Sequence, residues 1–359
     1  MKPTKDQLFK RQITLSEIGE IGQQKLQKAS VVVVGCGGLG GPIAVHLATS
    51  GIGKLHLIDF DTIDVTNLHR QVFYSLEDVG EPKAEILAKF IEERAPFTKV
   101  SFSNKPITKE NVFELINNVD IVVDGTDSLP TKYLLNDACV IKNKPLVYGS
   151  LYKFDGYIAT FNVQQEDGSL SANLRDAFPN MANDVPNCEE AGTLNAIVSL
   201  IASLQVNEVL KLITGIGTPL INQLLVINSL QNSQLRIKVP NKFSKKAIES
   251  IFKSETYFDP SCEIQNPDWL ISAEELKRTL VSPTKTRPIL IGVLEGLETS
   301  LPLEKIMILS QLGTVDIDLS KKHVFVCQRG LTSYRAVQVL KQRFPEGIFL
   351  SLEGGIAQY

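Results

Sequence analysis

Short runs of β-branched and other apolar residues alternate with amphipathic segments over the first ~230 residues of the chain. The apolar runs predict strands at 31–34, 55–59, 99–102, 120–124 and 145–149. The amphipathic segments predict helices at 38–50, 82–95 and 131–142. Strands that alternate with helices in this way indicate an α/β fold, with a doubly wound, mainly parallel, Rossmann-like sheet.

The pattern changes after residue 155. An alternating strand, "GYIATFNV", is followed by a loop at 162–190 that is rich in Asn, Asp and Pro. A long apolar helix then ends at Gly215, where a helix stop is expected. Residues 224–239 predict a hairpin with Asn and Ser at its turn.

The chain divides into two predicted domains. Residues 240–268 are mixed, with a basic stretch, "NKFSKKAIESIFK", followed by "DPSCEIQNPDW". We therefore predict a first domain at 1–240, a linker at 241–268 and a second domain at 269–359. The second domain again alternates strand and helix patterns, which predicts a small α/β domain.

Composition excludes several classes of protein. The net charge of −3 gives no basic footprint for nucleic acid. No apolar run approaches the ~18–20 residues of a membrane span, and the start "MKPTKDQLFKRQ" has no apolar signal region. We therefore expect a cytoplasmic protein without a membrane or nucleic-acid partner. Five cysteines stand singly, without a C-x-x-C pair, and predict free thiols.

A glycine turn follows the first strand in "VVVVGCGGLGG", where Gly35, Gly37 and Gly40 fit G-x-G-x-x-G. Asp59 ends the second strand, 19 residues after Gly40, at a position from which a carboxylate reaches ribose hydroxyls. At this point NAD and ATP fit the turn equally well.

Charged and polar side chains at consecutive strand ends favour ATP. Those that follow the second strand are Asp61, Asn67, Arg70, Gln71 and Lys83. Cationic side chains at one edge of a sheet offset the charge of a triphosphate and of a leaving pyrophosphate. Asp124 and Asp127 end the fourth strand near the same edge, where a carboxylate can hold Mg²⁺. We therefore predict a site for ATP and Mg²⁺.

The chain resembles the MoeB/ThiF/HesA group of ubiquitin-activating-type adenylyltransferases over about residues 8–239. The resemblance rests on "RQITL", "GCGGLGG", "DFDTIDVTNLHRQ", "GEPK", "DGTDS", "PLVYGS" and "CEEAGTL". It implies ATP-dependent adenylation of the C-terminal glycine of a ubiquitin-like sulfur-carrier protein ending in Gly-Gly. The carrier then serves molybdopterin, thiamine or thiolated-tRNA synthesis, and the sequence leaves these three open.

The resemblance also implies roles for individual residues. The nucleotide would be cradled by Gly35, Gly37, Gly38 and Gly40, with Asp59 on the ribose. The phosphates would be contacted by Asn67, Arg70, Gln71 and Lys83. Asp127 would serve Mg²⁺ and the α-phosphate. Arg11 matches an arginine that family dimers insert into the partner's site, which implies a homodimer.

Three departures from the family pattern stand out. Many relatives hold a structural zinc with two C-x-x-C pairs, but the matching regions of this chain read "GSLSANLRDAFPN" and "LRIKVPNKFSK". We therefore expect no structural zinc site. Ser128 replaces an asparagine, and Lys132 stands where an arginine is usual.

Two cysteines are candidates for sulfur chemistry. Cys188 precedes a predicted helix start, at a position where some relatives carry a cysteine that bonds the activated carrier. Cys327 follows a strand in "VFVCQRGLTSYRAVQVL", with a five-residue loop and a predicted helix beginning at Ser333. Backbone N–H groups in such a loop stabilise an anionic sulfur, which must also be exposed for transfer.

The C-terminal region, about 270–359, resembles the rhodanese fold. Its C-x-x-G-x-x-S signature is matched by Cys327, Gly330 and Ser333, while the Asp-Val-Arg stretch of an earlier strand is replaced by "LIGVLEG". The resemblance implies a sulfurtransferase, with a cysteine desulfurase as a further expected partner. Two alternatives remain open, an NAD-dependent oxidoreductase and a non-catalytic adaptor that binds a ubiquitin-fold protein.

Overall fold

The computed structural model describes residues 3–181, 192–257, 266–281, 287–294, 296–297, 299–309, 312, 317–328 and 330–359. The chain forms two compact units, residues 1–258 and 259–359. Each unit is an α/β structure, which confirms the predicted fold class.

The first unit is built on an eight-stranded sheet with the order β3-β2-β1-β4-β5-β6-β7-β8. Its strands are β1 (Ser30–Val34), β2 (Lys54–Ile58), β3 (Lys99–Ser103), β4 (Ile121–Asp124), β5 (Leu146–Tyr152), β6 (Asp155–Phe161), β7 (Gln223–Asn228) and β8 (Ser233–Lys238). The five strands from β3 to β5 in this order run parallel, and β6, β7 and β8 continue the sheet antiparallel. The strand order reverses beside β1, which creates a crevice at the carboxyl ends of β1 and β4.

Helices cover both faces of this sheet. They are α1 (Lys5–Ile13), α2 (Gly19–Lys28), α3 (Gly40–Thr49), α4 (Lys83–Arg94), α5 (Val112–Asn117), α6 (Leu129–Lys142), α7 (Leu174–Ala177), α8 (Asn195–Thr214) and α9 (Lys245–Ser254). Alternate residues of β1 join different apolar clusters, Val31 and Val33 on one face and Val32 and Val34 on the other. The unbroken valine run is therefore what a strand covered on both faces requires.

Helix α8 is long and apolar enough, by length and composition alone, to cross a membrane, and it is the one such helix in the described ranges. The prediction that no apolar run approaches the length of a membrane span was therefore wrong for this segment, in which polar residues such as Gln205 and Glu208 stand among apolar ones. The helix packs on β5, β6 and α3, with nine residues buried. This is the position of a core helix.

The domain boundary lies later than the sequence pattern indicates. Helix α9 falls inside the predicted linker 241–268, yet its Ile248 and Phe252 are buried in the first unit. Ser244 caps the helix by accepting a hydrogen bond from the N–H of Ala247 at 3.2 Å. Residues 241–257 therefore belong to the first unit, because the apolar side of an amphipathic helix must be covered.

The second unit has a five-stranded parallel sheet with the order β11-β10-β12-β13-β9. Its elements are β9 (Leu270–Ile271), α10 (Ala273–Val281), β10 (Ile289–Gly292), β11 (Lys305–Ile306), β12 (Lys322–Val326), α11 (Leu331–Arg343) and β13 (Ile348–Leu352). The central strand β12 has buried Val324 and Val326 on one face and buried Phe325 on the other. Cys327 directly follows this strand.

Candidate functional site

The glycine turn between β1 and α3 holds backbone segments closer together than side chains would permit. Gly35 has a φ of +87°, in the left-handed region that favours glycine. A Cβ on Gly40 would lie 1.7 Å from the carbonyl oxygen of Gly35. A Cβ on Gly125, just past β4, would lie 2.8 Å from the Cα of Gly40. The turn therefore lies directly at the sheet crevice, with the start of α3 behind it.

Asp59 fastens the turn to the end of β2. One carboxylate oxygen accepts the N–H of Cys36 at 2.6 Å, and the other accepts the N–H of Asp61 at 2.9 Å. Burial raises the pKa of Asp59 to about 6, and the nearby charge of Lys83 limits that rise. Burial also raises the pKa of the Cys36 thiol well above its ordinary range, which suits a small packing residue.

Lys83 begins α4, and its side chain is held inside the site. The residue is 5% exposed, and its Nζ lies 2.9 Å from Oδ2 of Asp61. Burial acts to lower the pKa of Lys83. The negative charges of Asp59 and Asp61, with a smaller contribution from Asp127, outweigh that effect and leave the pKa raised. Lys83 therefore brings a permanent positive charge to the crevice.

Three further predicted residues lie on the segment between β2 and α4. Nη2 of Arg70 donates to Oδ1 of Asn67 at 2.6 Å, and its Nη1 lies 3.0 Å from Nε2 of His69. Gln71 is 5% exposed, and a Cβ on Gly37 would lie 3.2 Å from its Nε2. Within the described ranges, Oε1 of Gln71 has no hydrogen-bond partner. A buried polar atom without a partner beside the turn is one that a ligand can satisfy.

These features fit a nucleoside triphosphate. Gly37 and Gly38 are partly exposed at the surface of the turn, where no side chain of their own shields the backbone N–H groups. Lys83 and Arg70 supply positive charge beside the turn. Asp127 is exposed at the same strand end. The residues predicted to bind the nucleotide follow β1, β2 and β4 or begin α4, and the fold places them at one crevice.

Of the two carboxylates that end β4, Asp124 is turned into the fold, and Asp127 is the one that remains exposed. The carboxylate of Asp124 is fully buried, 3.0 Å from Nζ of Lys132, and accepts the N–H and hydroxyl of Thr126. Lys132 also donates to the carbonyl of Gly149 at 2.7 Å. Both groups are used inside the fold, because a buried carboxylate needs a partner of opposite charge. In the described residues, no group of three or more His, Cys, Asp or Glu is arranged to hold a metal.

Two residues that support the site were missed by sequence reasoning. The hydroxyl of Tyr74 donates to the carbonyl of Cys36 at 2.7 Å and lies 3.2 Å from that of Lys83, joining the turn to α4. The buried Gln205 of α8 donates to the carbonyl of Asp124 at 2.8 Å. An amide within an otherwise apolar helix indicates a buried polar contact, so Gln205 could have been found from the sequence. The sequence around Tyr74 gives no such indication.

The second unit places hydrogen-bond donors around the sulfur of Cys327. The N–H groups of Gly330 and Ser333 lie 3.1 and 3.4 Å from Sγ, and Oγ of Ser333 lies 3.3 Å from it. Gly330 has a φ of +84° and precedes α11, which begins at Leu331 rather than at the predicted Ser333. The tighter turn brings Ser333 inside the first turn of the helix, where its N–H points to the sulfur.

Cys327 is 2% exposed, which differs from the exposure expected for sulfur transfer. A Cβ added to Gly330 would lie 2.9 Å from the backbone nitrogen of Gly354, so the backbone beside the sulfur lies close to the residues that follow β13. The carbonyl of Cys327 also accepts the N–H of Ile356 at 3.0 Å. Transfer to another protein therefore requires the sulfur to become accessible.

Comparison with known proteins now identifies the architecture. The model of the ThiF family matches residues 9–248. The chain belongs to the ThiF family. It is 41% identical over 243 residues to a sulfur carrier protein adenylyltransferase of Thermus thermophilus, which covers 67% of this chain and 90% of that relative.

Relatives with both units are also similar. The probable adenylyltransferase/sulfurtransferase MoeZ of Mycobacterium tuberculosis is 32% identical, covering 98% of this chain and 92% of the relative. The adenylyltransferase and sulfurtransferase MOCS3 of Culex quinquefasciatus is 33% identical, with coverages of 94% and 82%. A crystal structure of Escherichia coli MccB with ATP matches with a TM-score of 0.54 and 26% identity, covering 62% of this chain and 67% of that one.

Two predicted residues of this ThiF-family chain are not tested by the described structure. Arg11 is exposed on α1, and no contact among the described residues joins it to the nucleotide cluster. Cys188 lies outside the described residues. Their roles therefore remain predictions.

A carboxylate joins the two regions for which the family resemblance led us to look for C-x-x-C pairs. Oδ1 of the buried Asp176 accepts the N–H groups of Lys242 and Phe243 at 2.6 and 2.9 Å. Its Oδ2 accepts the N–H of Asn173 at 2.8 Å. Asp176 thus fastens residues 242–243 to α7, a connection that needs no metal.

Replacement of Asp176 by asparagine is expected to lower the free energy of unfolding by about 1–3 kcal/mol, because buried N–H groups lose an acceptor. Chelation with EDTA is expected to leave the thermal unfolding midpoint unchanged. The matched control is Asp167→Asn, since Asp167 is an exposed loop carboxylate that accepts from Ser169. Near-stoichiometric zinc in elemental analysis, or an unaltered Asp176→Asn variant, would contradict this assignment.

Proposed function

We propose that this protein adenylates the C-terminal glycine carboxylate of a ubiquitin-like sulfur carrier ending in Gly-Gly, and that Cys327 supplies sulfur to the activated carrier. The observation that carries the proposal is the pairing of a cation-lined nucleotide crevice with an N–H-lined cysteine on one chain. Two relatives that match nearly the whole chain are named for both activities.

In the adenylation step, a carrier carboxylate oxygen attacks the α-phosphorus of ATP. A bond forms between that oxygen and phosphorus, the bond to the bridging oxygen breaks, and pyrophosphate leaves. Lys83 and Arg70 offset the negative charge of the phosphates, and Asp59 is placed to accept from ribose hydroxyls. The exposed Asp127 is the carboxylate for Mg²⁺, which neutralises phosphate charge when bound.

In the sulfur step, Cys327 carries a sulfane sulfur as a persulfide. Its terminal sulfur bonds to the carbonyl carbon of the adenylated carrier, and AMP leaves, so that the carrier is joined to Cys327 by an acyl disulfide. A second thiol then attacks Sγ of Cys327, which breaks the S–S bond and releases the carrier thiocarboxylate. An external thiol reductant returns the disulfide formed in this step to two thiols. The N–H groups of Gly330 and Ser333 would stabilise the persulfide anion before attack. A cysteine desulfurase is the proposed donor of that sulfur, and the proposed location is the cytoplasm. Cys188 is a proposed second thiol in the transfer.

The deciding experiment is ATP–pyrophosphate exchange with purified full-length protein. Exchange is expected only when a carrier ending in Gly-Gly and Mg²⁺ are both present. A carrier lacking its final glycine is the matched control. Binding of the carrier without exchange would favour a non-catalytic adaptor, and tight NAD(H) binding without exchange would favour an oxidoreductase.

We further propose a homodimer in which Arg11 completes the partner's crevice. The apolar Leu15 and Ile21 near this arginine in sequence are 54% and 73% exposed, which suits an interface. An Arg11→Ala chain mixed with a Lys83→Ala chain is therefore expected to recover part of the exchange activity, because one mixed site is intact. A monomer in solution, or no recovery on mixing, would contradict this arrangement.

A further inference from the structure

Two buried hydroxyl groups lie behind the sulfur of Cys327. Ser333 and Ser351 are both fully buried, and their Oγ atoms are 2.8 Å apart. Ser333 belongs to the cysteine loop signature, whereas Ser351 is on β13, opposite Phe325 of β12. A serine at this fully buried strand position is unusual, since neighbouring buried positions of β13 hold Phe349 and Leu352.

The two hydroxyls compete for the same carbonyl. Oγ of Ser333 lies 3.1 Å from the carbonyl oxygen of Gly330, and Oγ of Ser351 lies 3.2 Å from it. That oxygen already accepts the N–H of Tyr334, which leaves one further lone pair. Ser333 has a single proton, so it cannot donate to the sulfur of Cys327 and to this carbonyl at the same time.

The ionisation state of the sulfur decides which arrangement is favourable. With a neutral thiol, the S–H donates to Ser333, Ser333 donates to the Gly330 carbonyl, and Ser351 donates to Ser333. With an anionic sulfur, Ser333 must donate to the sulfur, and Ser351 can then donate to the carbonyl. Each serine keeps its own proton in this exchange, and the thiol proton leaves to solvent.

We propose that Ser351 is a positioning residue that occupies the Gly330 carbonyl and so releases the hydroxyl of Ser333 to the sulfur of Cys327 in its anionic form. Without Ser351, the carbonyl competes with the sulfur for the proton of Ser333. A hydrogen bond from a hydroxyl to an anion is stronger than one between neutral groups. A role for this hydrogen-bond arrangement in sulfur transfer rests on the proposed function. Its effect on the ionisation of Cys327 does not.

The test measures the ionisation midpoint of Cys327 by thiolate absorbance, as the difference between each chain and the same chain carrying Cys327→Ala. This readout needs no reagent to reach the buried sulfur. Ser351→Ala is expected to raise the midpoint by about one pH unit, or tenfold less thiolate, since a hydrogen bond to a charged group is weakened. Ser351→Thr is expected to retain the midpoint, while the shape-matched Ser351→Val is expected to resemble Ser351→Ala.

The double variant separates positioning from packing. Ser333→Ala alone is expected to raise the midpoint at least as much, and adding Ser351→Ala to it is expected to shift it no further. An additive shift, or an unchanged midpoint in Ser351→Ala, would overturn the proposal. Thermal unfolding shows whether each variant is folded. If Ser351→Thr and Ser351→Val do not fold, Ser351→Ala, Ser333→Ala and their double variant are sufficient for the test. A separate thiosulfate sulfurtransferase assay tests the proposed function. The role of Ser351 and the proposed sulfur transfer can therefore be contradicted independently of each other.

Discussion

Replacing Lys83 by alanine is expected to lower carrier-dependent ATP–pyrophosphate exchange by about 100- to 1,000-fold, as for loss of one charge contact in a transition state. Lys83 is nearly buried, with its Nζ 2.9 Å from Asp61, and carboxylates raise its pKa. It therefore stays charged while pyrophosphate leaves, and no solvent cation can replace it at that point. Steady-state exchange rates at saturating ATP and carrier measure the effect.

The matched control for this substitution lies on the same helix. Lys89→Ala also removes a lysine from an ion pair, since Lys89 lies 2.8 Å from Glu85, but its side chain is 62% exposed. It is expected to change exchange by less than about twofold, because an exposed pair contributes little. Equal losses of exchange activity in both variants, or intact exchange in folded Lys83→Ala, would contradict the assignment of Lys83 to the nucleotide site.

Replacing Cys327 by serine is expected to abolish thiosulfate sulfurtransferase activity and thiocarboxylate formation on the carrier, while ATP–pyrophosphate exchange continues. A serine oxygen cannot carry sulfane sulfur, although it can accept the N–H groups that surround Sγ. The two activities separate because the residues of each site lie in different compact units. Mass spectrometry of the carrier C-terminus measures thiocarboxylate directly.

The control for Cys327 is a cysteine outside the second unit. Cys188→Ser is expected to retain thiosulfate sulfurtransferase activity, whatever its effect on later transfer to the carrier. An unchanged yield of thiocarboxylate with Cys327→Ser would show that this cysteine takes no part in sulfur delivery.

The strands and the turn of the nucleotide crevice could be predicted because their signals are local. Four consecutive valines require a strand covered on both faces, and G-x-G-x-x-G is needed where β1 meets α3. The helix α9 carried a signal of the same kind in its apolar positions. Its basic, mixed composition nevertheless predicts a linker, because nothing in the sequence shows which surface an amphipathic helix covers.

The sequence determined the positions of Asp59, Lys83 and Cys327, since each follows a recognisable strand or begins a recognisable helix. Tertiary structure alone decided that Asp124 pairs with Lys132 rather than with a metal, and that Asp176 holds residues 242–243. It also decided that Ser351 reaches the cysteine loop. The physical reason is distance along the chain. Asp176 and Ser351 meet partners that are distant in sequence, and such contacts depend on how the sheets and helices pack. Asp124 and Lys132 are only eight residues apart, but in the sequence each charge is equally suited to binding a ligand or to pairing with the other. Because both side chains are buried in the folded chain, they pair with each other.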